Sequence, residues 1–186
     1  MQFTFVDRVL YLEPGVRITT LKCLSMGEEY LADHFPRFPV MPGVLMLQAM
    51  TDAAAMLIGA TEDFTYSIIT LKEAKNIKFA DFVQPGRVLT VTAEIHKFGQ
   101  RDVEFKAQGS LDDRTAVSGR LVLERYNLAD TRPLLADTDE HLRGLQRSRL
   151  ALLYHPSETL SDPESSETLA AAPSEAAASS DARGKG

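Results

Sequence analysis

A single histidine stands at the start of a proline-rich loop that leads into an apolar helix. His34 opens the run HFPRFPVMPGVL, which holds three prolines before its glycine, Gly43. Proline fixes φ and lacks an N–H group, so this loop should be stiff and should hold the imidazole in place. Glycine lets a ligand approach the backbone, and the first N–H groups of a helix have no internal partners. The run therefore predicts a base close to a helix end that can accept an anion.

The helix that should follow, from Gly43 to Ile58, carries one narrow polar stripe. Its members recur with the spacing of a single helix face and are Gln48, Thr51, Asp52 and Ala55. A polar side chain in a buried helix needs a partner or a cavity, which makes Gln48 and Asp52 candidate site residues. Two plainer interpretations stay open. Asp52 could meet solvent or a lysine near the helix end, and Gln48 could be a satisfied core amide; His34 could likewise be a packed, hydrogen-bonded histidine.

Before and after that helix in the sequence lie segments in which apolar and polar residues alternate, and these segments indicate an antiparallel sheet. The expected strands cover residues 3–12, 16–24, 66–79, 87–98, 102–110 and 115–126. The last three form a meander, and a break is expected near Glu73. Gly59 is predicted to end the central helix. One buried helix and about six antiparallel strands predict an α+β fold in which the sheet wraps the helix.

The C-terminal part divides into a helical extension and a tail. A helix is predicted over residues 137–154, with Asp137 and Glu140 as a capping pair. Its apolar face should pack on the domain or on a partner subunit and holds Leu142, Leu145, Leu150 and Leu153. The tail is rich in Ala, Ser, Glu and Pro and should be disordered. We therefore expect a domain over residues 1–130, a helical extension over 131–155 and a disordered acidic tail over 156–186.

Composition limits the class of protein. The single cysteine, Cys23, excludes internal disulfides and multi-cysteine metal sites and fits a reducing compartment. Charged residues interrupt the apolar run near the N-terminus, so no signal peptide is expected and the protein should be cytoplasmic. The tail carries six acidic and two basic residues of a chain whose net charge is −6, so the rest is nearly neutral and lacks a nucleic-acid footprint. Residues 40–60 contain polar groups and a proline, which favours a buried helix over a membrane span.

The loop and helix resemble the active-site segment of the 3-hydroxyacyl-[acyl-carrier-protein] dehydratases of the FabZ/FabA type. The pattern of that family runs H-F-P-G-H-P-x-M-P-G-V-L and continues with E-A-x-A-Q. Further similar segments bring the resemblance to about residues 3–126; they begin at Phe5, Glu13, Ile77 and Gln84. The resemblance implies a hotdog fold, a long helix wrapped by an antiparallel sheet. It also implies assembly at least as a dimer, with active sites between subunits.

The resemblance assigns roles to individual residues. His34 matches the base that removes the α-proton of a 3-hydroxyacyl thioester. Gly43 matches the glycine whose backbone N–H holds the thioester carbonyl, and Val44 follows at the helix start. Phe35 and Phe38 are expected to contact the substrate at the mouth of the tunnel.

Gln48 stands where the family has its proton donor, a glutamate or an aspartate. An amide can orient a hydroxyl group or a water molecule, but it has no proton to release near neutral pH. Asp52 comes one helical turn later, where the family has glutamine, about 6 Å further along the helix. The acid is therefore either missing or moved by one turn.

Three functions fit these residues. The first is a dehydratase of 3-hydroxyacyl thioesters linked to an acyl carrier protein or coenzyme A, with Gln48 or Asp52 handling the hydroxyl. The second is a weak or inactive relative that binds an acyl carrier or pairs with an active subunit. The third is a hotdog thioesterase. The sequence has no metal, nucleotide or flavin pattern, and the chemistry of the first function needs no cofactor.

Overall fold

The alternating segments form one six-stranded antiparallel sheet in the computed structural model, which describes residues 5–156. The strands are β1 (Arg8–Glu13), β2 (Arg17–Cys23), β3 (Ile68–Phe79), β4 (Val88–Phe98), β5 (Asp102–Leu111) and β6 (Arg114–Tyr126). Their order across the sheet is β1-β2-β4-β5-β6-β3, and every neighbouring pair is antiparallel. The predicted meander is confirmed as β4-β5-β6, and β3 returns to close one edge.

The central helix α1 (Gly43–Thr61) packs on one face of this sheet. Along β4, Leu89, Val91 and Ala93 are fully buried while their neighbours are more exposed, as the period of two predicts. Among residues 5–156, α1 is the one helix long and apolar enough to span a membrane by length and composition. Nine of its 19 residues are buried inside the protein, which is typical of a core helix. The predicted α+β architecture is confirmed.

Gly59 lies inside α1, so the prediction that it ends the helix is wrong. A Cβ atom on Gly59 would approach the ring of Phe64 to 3.0 Å, and the Phe64 N–H donates to the Gly59 carbonyl at 2.7 Å. The glycine therefore makes room for the chain that folds back over the helix end. The turn itself comes later, where Asp63 and Phe64 adopt positive φ angles of 47° and 55°.

The outer strands differ in detail from the prediction. The first strand begins at Arg8; Phe5 and Val6 are buried but lie before it, and residues 1–4 fall outside the described part. The break expected near Glu73 is confirmed as a shift of register between Leu71 and Glu73. A second shift follows between residues 75 and 78. These irregularities bend the strand that forms the sheet edge.

The C-terminal helix α2 (Ala136–Leu153) packs on its own protomer. Its anchor is Asp139, which is 1% exposed and accepts hydrogen bonds from the Ser67 hydroxyl and from two backbone N–H groups, of Leu128 (2.9 Å) and Ala129 (2.8 Å). Burial acts to raise the pKa of Asp139, but these hydrogen bonds outweigh it, so the pKa is lowered. Gln146 adds a hydrogen bond of 2.8 Å from its Nε2 to the Ser67 carbonyl.

The predicted capping pair of α2 is wrong. The residue before the helix is Leu135, no side chain caps it, and Asp137 already lies in the first turn. Glu140 instead pairs with Arg143 at 2.8 Å. Leu145, expected on the packing face, is 54% exposed. The predicted disordered tail falls, from residue 157 onward, outside the described residues.

Candidate active site

The loop holds His34 with Nδ1 of the ring hydrogen-bonded and with no partner for the other ring nitrogen among residues 5–156. The backbone N–H of His34 donates to the Tyr30 carbonyl at 3.1 Å, and the Val40 N–H donates to the His34 carbonyl at 3.0 Å. The ring Nδ1 lies 3.0 Å from the Val40 carbonyl oxygen. Because a carbonyl can only accept, Nδ1 carries the proton in the neutral ring, and Nε2 keeps its lone pair. The ring also stacks on Phe35 with 4.3 Å between centroids. His34 is thus an oriented imidazole with a basic nitrogen.

The N-terminus of α1 lies beside this imidazole. The first helical hydrogen bonds run from the N–H groups of Leu45 and Met46 to the Pro42 carbonyl, at 2.9 and 3.2 Å. The N–H groups of Gly43 and Val44 precede them and have no acceptor within the helix. A Cβ atom on Gly43 would approach the ring of Phe79 to 3.0 Å. Glycine is therefore needed for the aromatic ring to lie against the helix start.

His34 and Gly43, to which the resemblance assigns roles, line the same cavity. Its volume is about 360 Å³, within the range of roughly 300–1,000 Å³ that ligand pockets span. The remaining lining is mostly apolar and consists of Met41, Met46, Phe79, Ala80, Asp81 and Phe82. A larger depression of about 600 Å³ lies on the outer face of the sheet, but its lining is polar strand residues without a histidine. Of these two cavities, the one at His34 contains a histidine and a helix N-terminus.

The other predicted substrate contacts, Phe35, Phe38 and Val44, do not line this cavity, but each is next to a residue that does. Phe35 is 52% exposed, Phe38 44% and Val44 68%. The ring of Phe38 meets the edge of Phe82, a lining residue, at 5.7 Å between centroids.

Gln48 and Asp52 form a pair that does not line the cavity of His34 in the same protomer. The Gln48 Nε2 donates to Asp52 Oδ1 at 2.7 Å, and Asp52 Oδ2 lies 3.7 Å from Nη2 of Arg149 on α2. Burial raises the pKa of Asp52, and the Gln48 hydrogen bond and the Arg149 charge offset this only in part. Asp52 therefore meets an arginine, not a lysine, and Gln48 is an exposed residue, not a core amide.

Sequence reasoning missed two polar residues near these groups. Asp81 is a carboxylate that lines the cavity of His34; it accepts a hydrogen bond from the Phe82 N–H at 2.8 Å and lies 3.3 Å from Arg114. Arg149 reaches the stripe of α1 from the C-terminal helix. Neither gives a local signal, because each belongs to a segment distant in sequence from the loop. Among residues 5–156, no three His, Cys, Asp or Glu side chains are placed to hold a metal ion.

Comparison with known families agrees with this geometry. The model of the ApeI-like family, described as ApeI dehydratase, matches residues 13–120. The chain is 36% identical over 121 residues to the 3-hydroxyacyl-[acyl-carrier-protein] dehydratase FabZ of Ruminiclostridium cellulolyticum, covering 64% of this chain and 84% of that protein. It is 40% identical over 123 residues to the FabZ of Variovorax paradoxus, covering 64% and 82%. The segment matched by the family model contains the loop with His34 and the helix α1 with Gly43, Gln48 and Asp52.

Solved structures resemble the chain at the level of fold. A chain of the dehydratase heterocomplex ApeI:P from Xenorhabdus doucetiae superposes with a TM-score of 0.60 at 14% identity, over 72% of this chain and 90% of that one. The protein smu.793 from Streptococcus mutans, solved with acetyl CoA, gives a TM-score of 0.51 at 9% identity, over 64% and 87%. The likeness confirms the predicted hotdog fold. The extension that carries α2 lies beyond the residues matched by the family model.

Proposed function

Since the chain belongs to the ApeI-like dehydratase family and is also related to the FabZ enzymes, we propose that it removes water from 3-hydroxyacyl thioesters carried by an acyl carrier protein. The product is a trans-2-enoyl thioester for fatty acid or related lipid synthesis. One observation carries the proposal. The free Nε2 of His34 and the open N-terminus of α1 at Gly43 line one apolar cavity.

The two groups divide the first half of the reaction between them. His34 Nε2 takes the α-proton, and the electron pair of that C–H bond moves toward the thioester carbonyl. The oxygen gains negative charge, which the N–H groups and the dipole at the N-terminus of α1 stabilise. Gly43 leaves room for this approach, since a side chain at that position would meet Phe79.

The second half requires a proton for the leaving hydroxyl group. The electron pair returns to form the double bond between the α- and β-carbons, the bond from the β-carbon to oxygen breaks, and water leaves. Gln48 cannot supply that proton. We assign it to Asp52, because burial raises its pKa and so keeps its carboxyl protonated to higher pH than an ordinary aspartate. Gln48 then orients Asp52 through their hydrogen bond.

This assignment needs a second copy of the chain. The pair of Gln48 and Asp52 lies outside the cavity of His34 in its own protomer. A homodimer, or a multiple of dimers, would bring the pair of one subunit to the cavity of the other. Two observations support such an assembly. The first is that β3 is an edge strand of the sheet, and no described strand pairs with its outer side. The second is that apolar side chains of the cavity are exposed, including Phe79 (52%) and Phe82 (60%).

The amide at position 48 supports a second function. If no acid replaces the family's carboxylate, the protein binds acyl carriers, or pairs with an active subunit, and turns over little substrate.

One assay separates the functions. Purified protein is given a 3-hydroxyacyl thioester, and the enoyl product and the free thiol are measured together. A dehydratase forms the enoyl product, a thioesterase releases thiol, and a binding protein does neither.

A further inference from the structure

A second cavity lies between α1 and α2, beyond the pair of Gln48 and Asp52. Its volume is about 200 Å³, and Asp52 lies on its wall. The apolar part of the lining comes from α1 and from the chain that follows it, and consists of Ala55, Met56, Phe64 and Ile69. The polar part comes from α2, through Gln146 and Arg149. The cavity therefore exists because the C-terminal extension packs over α1.

Two buried polar atoms in this lining have no hydrogen-bond partner within the described part of the chain. They are Oε1 of Gln146 and Nη2 of Arg149. The Gln146 amide is fixed, because its Nε2 donates to the Ser67 carbonyl, which leaves Oε1 as the unused end. Nη2 of Arg149 lies 3.7 Å from the Asp52 carboxylate, too far for a hydrogen bond. One acceptor and one donor thus remain unused, and buried groups of this kind are normally bonded.

We propose that this cavity binds the far end of the substrate's acyl chain and that this end carries a hydroxyl group. A hydroxyl can donate to Gln146 Oε1 and accept from Arg149 Nη2 at the same time. A methyl end leaves both atoms unpaired. A carboxylate end could pair with Arg149, but it has no proton to donate to Gln146 Oε1 and would place a negative charge beside that oxygen and beside Asp52. The apolar walls suit the hydrocarbon that precedes the hydroxyl.

The size and position of the cavity fit the end of a longer ligand. Its volume is below the roughly 300 Å³ at which pockets begin to hold a whole ligand. It also lies further along α1 than Gln48. In the dimer proposed above, a chain whose thioester is held at Gly43 of one subunit meets the pair of Gln48 and Asp52 of the second subunit, and it would continue along that second subunit's α1 toward Ala55. This inference rests on the proposed function, with the acyl chain as the common ligand.

The test compares 3-hydroxyacyl thioesters of equal length that end in a methyl, a hydroxyl or a carboxylate group. Two hydrogen bonds in a buried site should raise kcat/KM for the hydroxyl-ended substrate over the methyl-ended one by at least about tenfold. Gln146→Leu should abolish that ratio, and Arg149→Met should do the same. Arg143→Met is the matched control: its side chain contacts Asn127 and Glu140, lies on the same helix and does not line the cavity, so the ratio should persist.

Binding provides a readout that does not depend on turnover. Saturated acyl thioesters without the 3-hydroxyl group cannot lose water, and calorimetry with methyl-ended and hydroxyl-ended versions reports the cavity alone. A hydroxyl preference in binding without any dehydration would overturn the proposed function and support the cavity. Dehydration with equal rates for the methyl and hydroxyl ends, or a ratio that survives Gln146→Leu, would overturn the cavity and leave the function standing. The absence of both dehydration and preference would overturn both.

Discussion

Gln48 donates a hydrogen bond of 2.7 Å to Asp52 one turn away on α1, and the resemblance to the FabZ/FabA dehydratases implies a carboxylate and an amide at these two positions instead. The bond joins the two side chains into one unit. It also means that a carboxylate introduced at position 48 would lie directly against the Asp52 carboxylate. Whether Asp52 has taken over the role of the acid that the resemblance implies at position 48 can therefore be tested by substituting each residue.

We predict that Asp52→Asn lowers dehydration by about 10²- to 10⁴-fold, the usual contribution of a general acid. Gln48→Glu should not raise the rate, because it sets two carboxylates side by side. A rate that rises at least about tenfold in Gln48→Glu and is unaffected in Asp52→Asn would show that the acid is missing in the wild type.

The protonation of Asp52 should determine how kcat/KM falls as the pH rises. The acid works in its protonated form, and burial raises its pKa, so activity should fall as pH rises through a value above that of an ordinary aspartate. This fall in activity with rising pH should be absent in Asp52→Asn. If the fall remains, another group causes it, and Asp81→Asn is the variant to measure next, since Asp81 lines the cavity of His34.

A site shared between subunits predicts that two inactive variants restore each other. Coexpressed His34→Ala and Asp52→Asn chains form mixed dimers in which one site keeps both native residues, so about a quarter of wild-type activity should return for random pairing in a symmetric dimer. Light scattering should give a dimeric or larger even mass. A monomeric mass with activity intact, or a mixture as inactive as its parts, would contradict the shared site.

Gly43→Ala should lower kcat/KM, because its methyl group would meet the Phe79 ring at 3.0 Å and disturb the start of α1. The matched control is Gly144→Ala, since Gly144 lies inside α2 and no heavy atom comes within 4 Å of the place its methyl group would take. That change should stabilise the protein by about 0.5–1 kcal/mol, since alanine favours the helix, and leave activity unchanged. Equal activity in the two variants would remove Gly43 from the site.

The anchor of α2 predicts an acid-sensitive stability. The folded pKa of Asp139 is lowered, so its contribution is present at neutral pH, weakens as pH falls below the ordinary value of 3.8, and is lost below the folded pKa. Asp139→Asn should lower the melting temperature by several degrees at neutral pH and remove this part of the acid dependence. Asp137→Asn, which alters an exposed aspartate in the same first turn, should have a much smaller effect on both, because it removes only the interaction of an exposed charge with the helix N-terminus.

Features that depend on residues close together in the sequence, such as individual strands and the faces of a helix, could be predicted from the sequence. The alternation in residues 87–98 predicted β4, and the spacing of Gln48 and Asp52 predicted their shared face on α1. The errors and omissions come from contacts between distant segments. Gly59 looked like a helix end, but it makes room for Phe64. Arg149 reaches Asp52 only because Asp139 fixes α2 to Ser67, and no local pattern reports such docking.

His34 is the proposed base of a 3-hydroxyacyl thioester dehydratase. The most direct test of this role measures enoyl thioester formation by the wild type, by His34→Ala and by His96→Ala, which alters an exposed histidine on β4 outside the cavity. All three proteins should fold, as circular dichroism would show. We predict enoyl formation by the wild type and His96→Ala and none by folded His34→Ala; unchanged enoyl formation by folded His34→Ala would contradict the claim.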